Sequence, residues 1–197
     1  MKTTNSVFIF FLCLLFISCN EAAKKSTELQ KEHTDSITED IQDSVSNDNE
    51  ASNYKIALDF EKFATQPFEI TEKAKLDISS NDAAKSFKTR IIDAYKSSKI
   101  DFASYYISVV FGCGTGCVSG FIIDTRDGKV YNLPLGEENA CPLVEDRAIY
   151  KPNSKLFIAG VCKENPASEK VYYNAFLWDE SKKLFLKVGE DEILKGQ

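Results

Sequence analysis

The segment from about Tyr54 to Gln197 predicts a single globular α+β domain, mostly antiparallel β: a meander or small two-layer sheet with one packed helix. Short β-branched and aromatic runs follow Ile100, and tight-turn signals separate them. Such short connections favour antiparallel pairing. One amphipathic helical pattern precedes these runs. The segment has 144 residues, including ten Phe, eight Tyr and Trp178, which is enough to bury a core.

The helix is predicted from Asp82 to Ser98, and either Ser80 or Asn81 can cap its start. Its apolar residues recur at three- and four-residue spacing on one face: Ala84, Phe87, Ile91 and Tyr95. Its basic residues lie off that stripe: Lys85, Lys88, Arg90 and Lys96. We interpret them as the solvated side of the helix. Because the domain is not basic overall, we expect no nucleic-acid partner.

Strands are predicted at residues 105–111, 118–123, 130–133, 156–161, 171–178 and 184–188, with a short one at 68–71. The later runs contain a faint internal repeat. In each unit a strand with a cysteine near its end leads to a strand ending in aspartate, then to a turn and a lysine that starts the next strand. The aspartates are Asp124 and Asp179, and the lysines are Lys129 and Lys183. Two units are too few for a propeller, so the repeat favours a meander or a two-layer sheet.

The N-terminus predicts a lipoprotein signal peptide over residues 1–18. Its eleven-residue apolar run, Val7 to Ile17, is too short to span a bilayer but suits a secretory signal. Ser18 before Cys19 resembles the bacterial lipobox, although Phe16 stands where leucine is usual. The resemblance implies that Cys19 carries acyl chains such as palmitate and anchors the protein to a membrane. Asn20 is not the aspartate of the inner-membrane retention signal, so we expect the outer membrane, on either leaflet.

Residues 19–53 predict a lipidated cysteine followed by a disordered acidic tether. From Asn20 to Asn53 there is no aromatic residue, and nine acidic residues face three lysines. Low hydrophobicity with excess charge cannot offset the entropy of ordering. The only histidine, His33, lies here and is interpreted as a solvated linker residue. The remaining domain, residues 54–197, is nearly neutral, with 20 basic and 21 acidic residues.

Four cysteines remain in the exported domain, and we expect them to form two disulfides. In extended chain the Cα atoms of Cys113 and Cys117 would be about 13 Å apart, too far to bond. A hairpin tip at Gly114-Thr115-Gly116 brings them together, because glycine accepts positive φ. Of the three connectivities we favour Cys113 with Cys117 and Cys141 with Cys162.

The region from about Leu76 to Pro134 resembles a group of uncharacterised secreted bacterial proteins. The shared pattern is a Phe-Ala pair, a strand, a Gly-Cys-Gly-x-x-Cys loop, a strand ending in Asp and a turn before Val-Tyr. These positions are Phe102-Ala103, 106–111, 112–117, 121–124 and 127–131. The pattern carries Gly-His where this chain has Ser104-Tyr105. The resemblance implies export and a shared fold, with no assigned activity.

Residues Gly112, Gly114, Thr115 and Gly116 form the candidate loop site between the two thiols. We interpret the loop as a hairpin pinned by a structural disulfide. Three other interpretations are a redox dithiol, a metal site and an anion nest of glycine amides. The spacing is not Cys-x-x-Cys, the domain has no histidine, and no lysine follows the loop as in a P-loop. We therefore predict no metal and no cofactor.

The sequence gives no positive support for catalysis, so an enzyme is not the favoured class. Gly116-Cys117-Val118-Ser119-Gly120 places its serine one position too late for a nucleophile elbow. The acidic pairs Glu137-Glu138 and Glu145-Asp146 are interpreted as solvated charges. The favoured function is an outer-membrane lipoprotein that displays a disulfide-pinned binding domain for an envelope protein or glycan. Exposed tyrosines such as Tyr105, Tyr172 or Tyr173 would suit such contacts, although core packing is the favoured interpretation of each.

Two alternatives to a binding domain remain open. One is an envelope enzyme that uses two carboxylates as acid and base, which requires a cleft with two nearby acids and a raised pKa. The other is a thiol redox protein that acts through Cys113 and Cys117.

Overall fold

A computed structural model describes residues 53–196 of the chain as two antiparallel sheets, one principal helix and several short helical turns. The predicted fold class, α+β with mostly antiparallel sheet, is confirmed. Within residues 53–196 no helix is both long and apolar enough to cross a membrane. The predicted signal segment, the lipidated Cys19, the acidic tether up to residue 52 and His33 lie outside the described residues.

The principal helix forms where the apolar stripe predicted one. The α-helices are α1 (Asn53–Ala57), α2 (Lys88–Ser97) and α3 (Glu190–Ile193), and 3-10 turns lie at Glu61–Phe63, Ile78–Ser80, Ala83–Phe87 and Glu137–Asn139. The turn at Ala83–Phe87 leads directly into α2, so together they cover most of the predicted helix. Asn81 Oδ1 accepts the Ala84 N–H at 3.1 Å, which caps this start.

The described part of the chain has seven strands in two meanders. They are β1 (Tyr106–Gly114), β2 (Cys117–Asp124), β3 (Val130–Asn132), β4 (Leu143–Tyr150), β5 (Leu156–Lys163), β6 (Tyr172–Asp179) and β7 (Leu184–Val188). One sheet has the order β1-β2-β3 and the other β4-β5-β6-β7. The two repeat units become β1–β3 and β5–β7. Strand β4 was not predicted, and the strand predicted at residues 68–71 is wrong, because that segment runs without strand pairing.

The core lies in three apolar layers separated by the two sheets. The stripe of α2 packs on one face of the first sheet, with Ile91 and Tyr95 against Ile107 and Phe121. The other face of that sheet packs on the second sheet through aromatic residues that include Tyr106, Phe157 and Trp178. The outer face of the second sheet is covered by Leu58 and Phe60 before the sheets and by Ile193 in α3 after them. Segments from the beginning and the end of the described residues thus cover the outer face of the second sheet.

The β2–β3 turn is fixed by a close backbone approach at Gly128. Its φ is +77°, and a Cβ built there would lie 2.0 Å from the Lys75 carbonyl oxygen. Gly116 has a similar φ of +73° but open space around it.

We expect Gly128→Ala to lower the free energy of unfolding by more than about 2 kcal/mol, because backbone strain and steric overlap with Lys75 add. Gly116→Ala, with strain alone, should cost about 1 kcal/mol. Urea unfolding measures the loss for each variant. Equal losses would contradict the conclusion that close contact with Lys75 requires glycine at position 128.

Candidate functional site

The glycine-cysteine loop predicted from the sequence is the tip of the β1–β2 hairpin. Gly114 pairs with Cys117, and Cys113 is the extra residue of a bulge between Gly112 and Gly114. Gly114 and Gly116 both have positive φ, at +148° and +73°, so the predicted need for glycine is met at both positions. The Arg147 side chain donates to the Gly116 carbonyl oxygen, which ties the tip to β4. The hollow beside Gly116, lined also by Val118 and Arg147, has a volume of only about 20 Å³.

Both disulfides have the connectivity that the sequence favoured. Cys113 is joined to Cys117 with a Cα–Cα distance of 5.1 Å, and Cys141 to Cys162 with 5.8 Å. The second bridge ties the chain before β4 to the end of β5. A Cβ at Gly160 would lie 3.2 Å from the Cys141 sulfur, so glycine leaves room for this bridge to pack on the strand. The first bridge thus closes the hairpin tip, and the second joins the chain before β4 to β5.

A cluster of charged and aromatic side chains joins the turns of the two repeat units. We call it the charged cluster: Tyr106, Asp124, Arg126, Glu180 and Lys183. Arg126 Nη2 lies 2.5 Å from both Asp124 Oδ2 and Glu180 Oε1. Lys183 Nζ lies 3.1 Å from Asp124 Oδ2 and 2.5 Å from Glu180 Oε1. Two cations thus bridge two carboxylates, and the cluster has no net charge.

Aromatic donors complete the hydrogen bonding of the charged cluster. The Tyr106 hydroxyl donates to Glu180 Oε2 at 2.7 Å and accepts from Lys183 Nζ at 2.8 Å. The Trp178 ring N–H donates to the same Glu180 oxygen at 2.8 Å. Because every charge has a partner in a fixed geometry, the cluster forms a rigid support between the sheets.

The charged cluster keeps its carboxylates ionised. Burial works to raise the pKa of Glu180, but hydrogen bonds from Lys183, Arg126, Tyr106 and Trp178 outweigh it and hold that pKa at about 2. Burial also works to raise the pKa of Asp124, but hydrogen bonds from Arg126 and Lys183 outweigh it, so that pKa is lowered. Burial, helped by the bond to Glu180, raises the pKa of Tyr106. Neither carboxyl is therefore prepared to donate a proton near neutral pH.

A left-handed turn before β1 places Tyr105 beside the charged cluster. Ala103 and Ser104 have φ of 44° and 64°, which costs about 1–2 kcal/mol for each non-glycine residue. Both N–H groups donate to the loop after β4, to Ser154 O at 3.2 Å and to Pro152 O at 2.6 Å. The Ser104 hydroxyl also lies 2.6 Å from that of Thr65. These bonds hold a strained turn, which is typical of a functional site.

Tyr105, Arg126 and Phe68 form an aromatic and cationic wall. The Arg126 guanidinium lies 4.0 Å above the Tyr105 ring, and the Phe68 ring centroid lies 5.0 Å from that ring. The charged cluster fixes Arg126, and the left-handed turn fixes Tyr105. Phe68 is 46% exposed, which is unusual for a phenylalanine that contacts another ring.

Phe68 belongs to an arch, residues 66–73, which is held at both ends only. Thr65 N–H donates to Asn153 O at 2.7 Å, and Ala74 N–H donates to Thr125 O at 2.9 Å. Among the described residues, no backbone hydrogen bond involves residues 66–73. One side chain of the arch is fixed: the Lys73 ammonium donates to Tyr95 O at 2.6 Å and to Ser98 O at 2.7 Å. The arch is therefore free to adjust between fixed ends.

Two clefts open on either side of the wall. The smaller has a volume of about 330 Å³ and is lined by Thr65, Gln66, Tyr105, Lys155 and Glu180 among others. The larger has a volume of about 520 Å³ and is lined by Phe68, Glu69, Glu72, Lys75, Thr125 and Arg126 among others. Such volumes suit a small ring-shaped ligand or a few side chains of a partner. We call these two clefts and the wall the candidate site.

The tyrosines named from the sequence have different environments. Tyr105 is half-buried in the wall. Tyr172 is 37% exposed at the start of β6, and the half-buried Tyr173 packs in the outer core layer. Of the three, Tyr105 lies at the candidate site, and Tyr173 has the core packing that the sequence favoured.

The acidic pairs named from the sequence lie away from the candidate site. Glu137 and Glu138 begin a 3-10 turn. In β4, Asp146 Oδ2 lies 2.6 Å from Lys55 Nζ, and Glu145 Oε1 lies 3.1 Å from Lys163 Nζ. The β4 acids are ion-paired rather than merely solvated.

Burial raises the pKa of Asp101, whose carboxyl accepts the Ser108 N–H at 2.8 Å. Its other hydrogen-bonding neighbour is Tyr150, and no second carboxylate contributes to its shift. A lone carboxyl lacks the partner that two-carboxylate hydrolysis needs. In the part of the chain that the structure describes, no group of three or more His, Cys, Asp or Glu residues could hold a metal ion.

Comparisons of the chain with protein families, with curated proteins and with solved structures find no match.

Proposed function

We propose that this protein is an outer-membrane lipoprotein, anchored through acyl chains on Cys19, whose domain binds an envelope glycan at the candidate site. The observation that carries the proposal is the wall of Tyr105, Arg126 and Phe68 between two clefts, in which the charged cluster fixes Arg126. Aromatic faces beside hydrogen-bonding groups match the two chemistries of a sugar, its apolar ring face and its hydroxyls.

Two further observations support an extracytoplasmic binding domain. The Cα atoms of the two cysteine pairs lie 5.1 Å and 5.8 Å apart, as in disulfides. Disulfides persist in oxidising compartments. The apolar run before Cys19 resembles a lipoprotein signal. The acidic segment that follows would let the domain reach a ligand at a distance from the membrane.

The electrostatics favour binding over acid–base catalysis. Asp124 and Glu180 share cationic partners and have lowered pKa values, whereas a carboxylate pair in hydrolysis needs one member with a raised pKa. The thiol redox alternative would act at the hairpin tip, where the two cysteines are bonded and Arg147 contacts a backbone carbonyl. Ready reduction of Cys113 and Cys117 at an envelope redox potential would favour that alternative.

The test compares retention of the full chain on purified cell-wall sacculi and on an immobilised glycan array. Phe68→Ala removes one face of the wall, and we expect about tenfold weaker retention, as for loss of one stacking contact. Tyr172→Ala is the matched control. Tyr172 is also a partly exposed aromatic residue, but it begins β6, whereas the candidate site contacts the other end of that strand at Trp178.

Retention that is lost only in Phe68→Ala supports the proposal. Absence of retention on every glycan, or equal weakening by Phe68→Ala and Tyr172→Ala, would overturn it. A protein ligand would appear as retention on envelope protein alone with the same dependence on Phe68.

A further inference from the structure

Strand β7 is an open edge of the four-stranded sheet with two exposed leucines. Leu184 and Leu186 are 43% and 41% exposed, and they share the outer face of the sheet because side chains alternate along a strand. They continue the row that includes Leu177, and Leu186 also lines a groove of about 490 Å³ beside Phe63. An unpaired edge with two exposed leucines offers backbone groups and apolar surface to a further strand, and the one charged residue of β7, Lys187, restricts how that strand can pair.

The hydrogen bonds of the neighbouring strands show which backbone groups of β7 are available. Trp178 N–H donates to Lys155 O, so the backbone of Trp178 faces β5 and that of Leu177 faces β7. Leu177 is paired with Leu186. The N–H and C=O groups of Phe185 and Lys187 therefore point away from the sheet, because the direction alternates along antiparallel strands. Among the described residues, no strand or bridge pairs with this outer edge.

We propose that β7 pairs with β7 of a second copy of this chain, antiparallel about a two-fold axis at Leu186, to form a continuous eight-stranded sheet. In this register Phe185 and Lys187 exchange backbone hydrogen bonds with Lys187 and Phe185 of the other copy. Leu186 lies opposite Leu186, and Leu184 opposite Val188. The exposed leucines of both copies then form one apolar row on the outer face.

The charges on β7 select this register and favour a second copy as the occupant. A shift by two residues in one direction places Lys187 opposite Lys187, and the shift in the other direction places it opposite Lys183. Like charges directly opposite are destabilising. In the proposed register Lys187 lies opposite Phe185, and no like charges meet. The domain itself is nearly neutral, with 20 basic and 21 acidic residues from Tyr54 onward, so two copies do not repel strongly.

The predicted association is weak, because a five-residue edge buries less than the roughly 1,000 Å² of a stable interface. Co-anchoring in one membrane would raise the effective concentration. This dimer does not depend on the glycan site, because the wall of Tyr105, Arg126 and Phe68 contains no residue of β7.

The test uses cysteine cross-linking of the full chain in detergent micelles under mild oxidation. In the proposed register the two residues at position 186 form a non-hydrogen-bonded pair with Cα atoms about 4.5 Å apart, within disulfide range. We expect Leu186→Cys to form a covalent dimer at least tenfold faster than Leu184→Cys, whose exposure matches but whose counterpart is Val188. Equal rates, or a faster reaction of Leu184→Cys, would overturn the register.

A second pair of variants tests the backbone pairing. Lys187→Pro, added to Leu186→Cys, removes an outward N–H and should abolish cross-linking, whereas Lys187→Ala keeps the N–H and loses only the charge that selects the register, so it should slow cross-linking without abolishing it. Circular dichroism is used to check whether Lys187→Pro folds. If it does not, hydrogen exchange in the otherwise unchanged chain decides: the amides of Phe185 and Lys187 should gain protection as protein concentration rises. Protection that is independent of concentration, or cross-linking that survives the proline, contradicts the proposal.

Discussion

Replacement of Asp124 by asparagine is expected to lower the free energy of unfolding by about 3 kcal/mol, because it leaves partly buried cations without one carboxylate. The Asp124 side chain is 2% exposed and is bonded to Arg126 and Lys183. Asparagine has the same shape, so the effect comes from the lost charge and from the lost acceptor that Arg126 and Lys183 share, and not from packing. Urea unfolding at neutral pH measures it.

Asp127→Asn is the matched control in the same turn. Asp127 lies 3.4 Å from Lys129 Nζ with both side chains well exposed, so its loss should cost less than about 1 kcal/mol. Equal effects of the two substitutions would show that the charged cluster is not a structural support.

The Cys141–Cys162 bridge is expected to be the more stabilising of the two disulfides. Its cysteines are 21 residues apart, against 4 for Cys113 and Cys117. Loop entropy gives contributions of about 3 and about 2 kcal/mol, respectively. Replacing Cys141 and Cys162 by alanines should therefore lower the melting temperature by about 10 °C, and replacing Cys113 and Cys117 should lower it less.

Thermal unfolding of the two double-alanine variants checks this order. The hairpin variant should keep the fold, because Gly114 and Gly116 still supply the turn and Arg147 still contacts its tip. A larger loss for the hairpin bridge would show that the tip, rather than the wide loop, constrains the unfolded chain.

The pH dependence of stability follows from the charged cluster. The pKa of Glu180 falls from its ordinary 4.5 to about 2 in the folded state. A depressed carboxyl stabilises the fold above its unfolded pKa, and that contribution is lost as the pH falls through the folded value. Stability should therefore decline between about pH 4.5 and 2. Glu180→Gln should flatten this decline in urea titrations, and an unchanged slope would contradict the assignment.

The sequence predicted the elements whose signals are local. Six strands followed from β-branched and aromatic runs, and α2 followed from the spacing of Ala84, Ile91 and Tyr95. Strand β4 was missed because Glu145, Asp146 and Arg147 interrupt its apolar pattern, and the ion pairs of Glu145 and Asp146 form only in the folded chain. The segment at residues 68–71 looked like a strand, yet no neighbouring strand pairs with it.

The candidate site was mostly missed because its parts are distant in the chain. Arg126 and Lys183 come from the turns of two different sheets, and each alone looks like an ordinary turn residue. The internal repeat was the one signal that could have found them, since it aligned the turns after Asp124 and Asp179. Likewise, the strained φ of Ser104 is visible only in the structure, although the resemblance marked this position as one where glycine is usual.

The most direct test of the central claim, that the charged cluster supports a binding site and does not catalyse, is a carbon-13 NMR titration of its carboxyl groups. In the folded domain we predict a pKa of about 2 for Glu180 and a value below the ordinary 3.8 for Asp124. Both side chains would then stay ionised throughout the working pH range. A pKa above about 5 for either carboxyl would contradict the account and make acid–base catalysis the leading function.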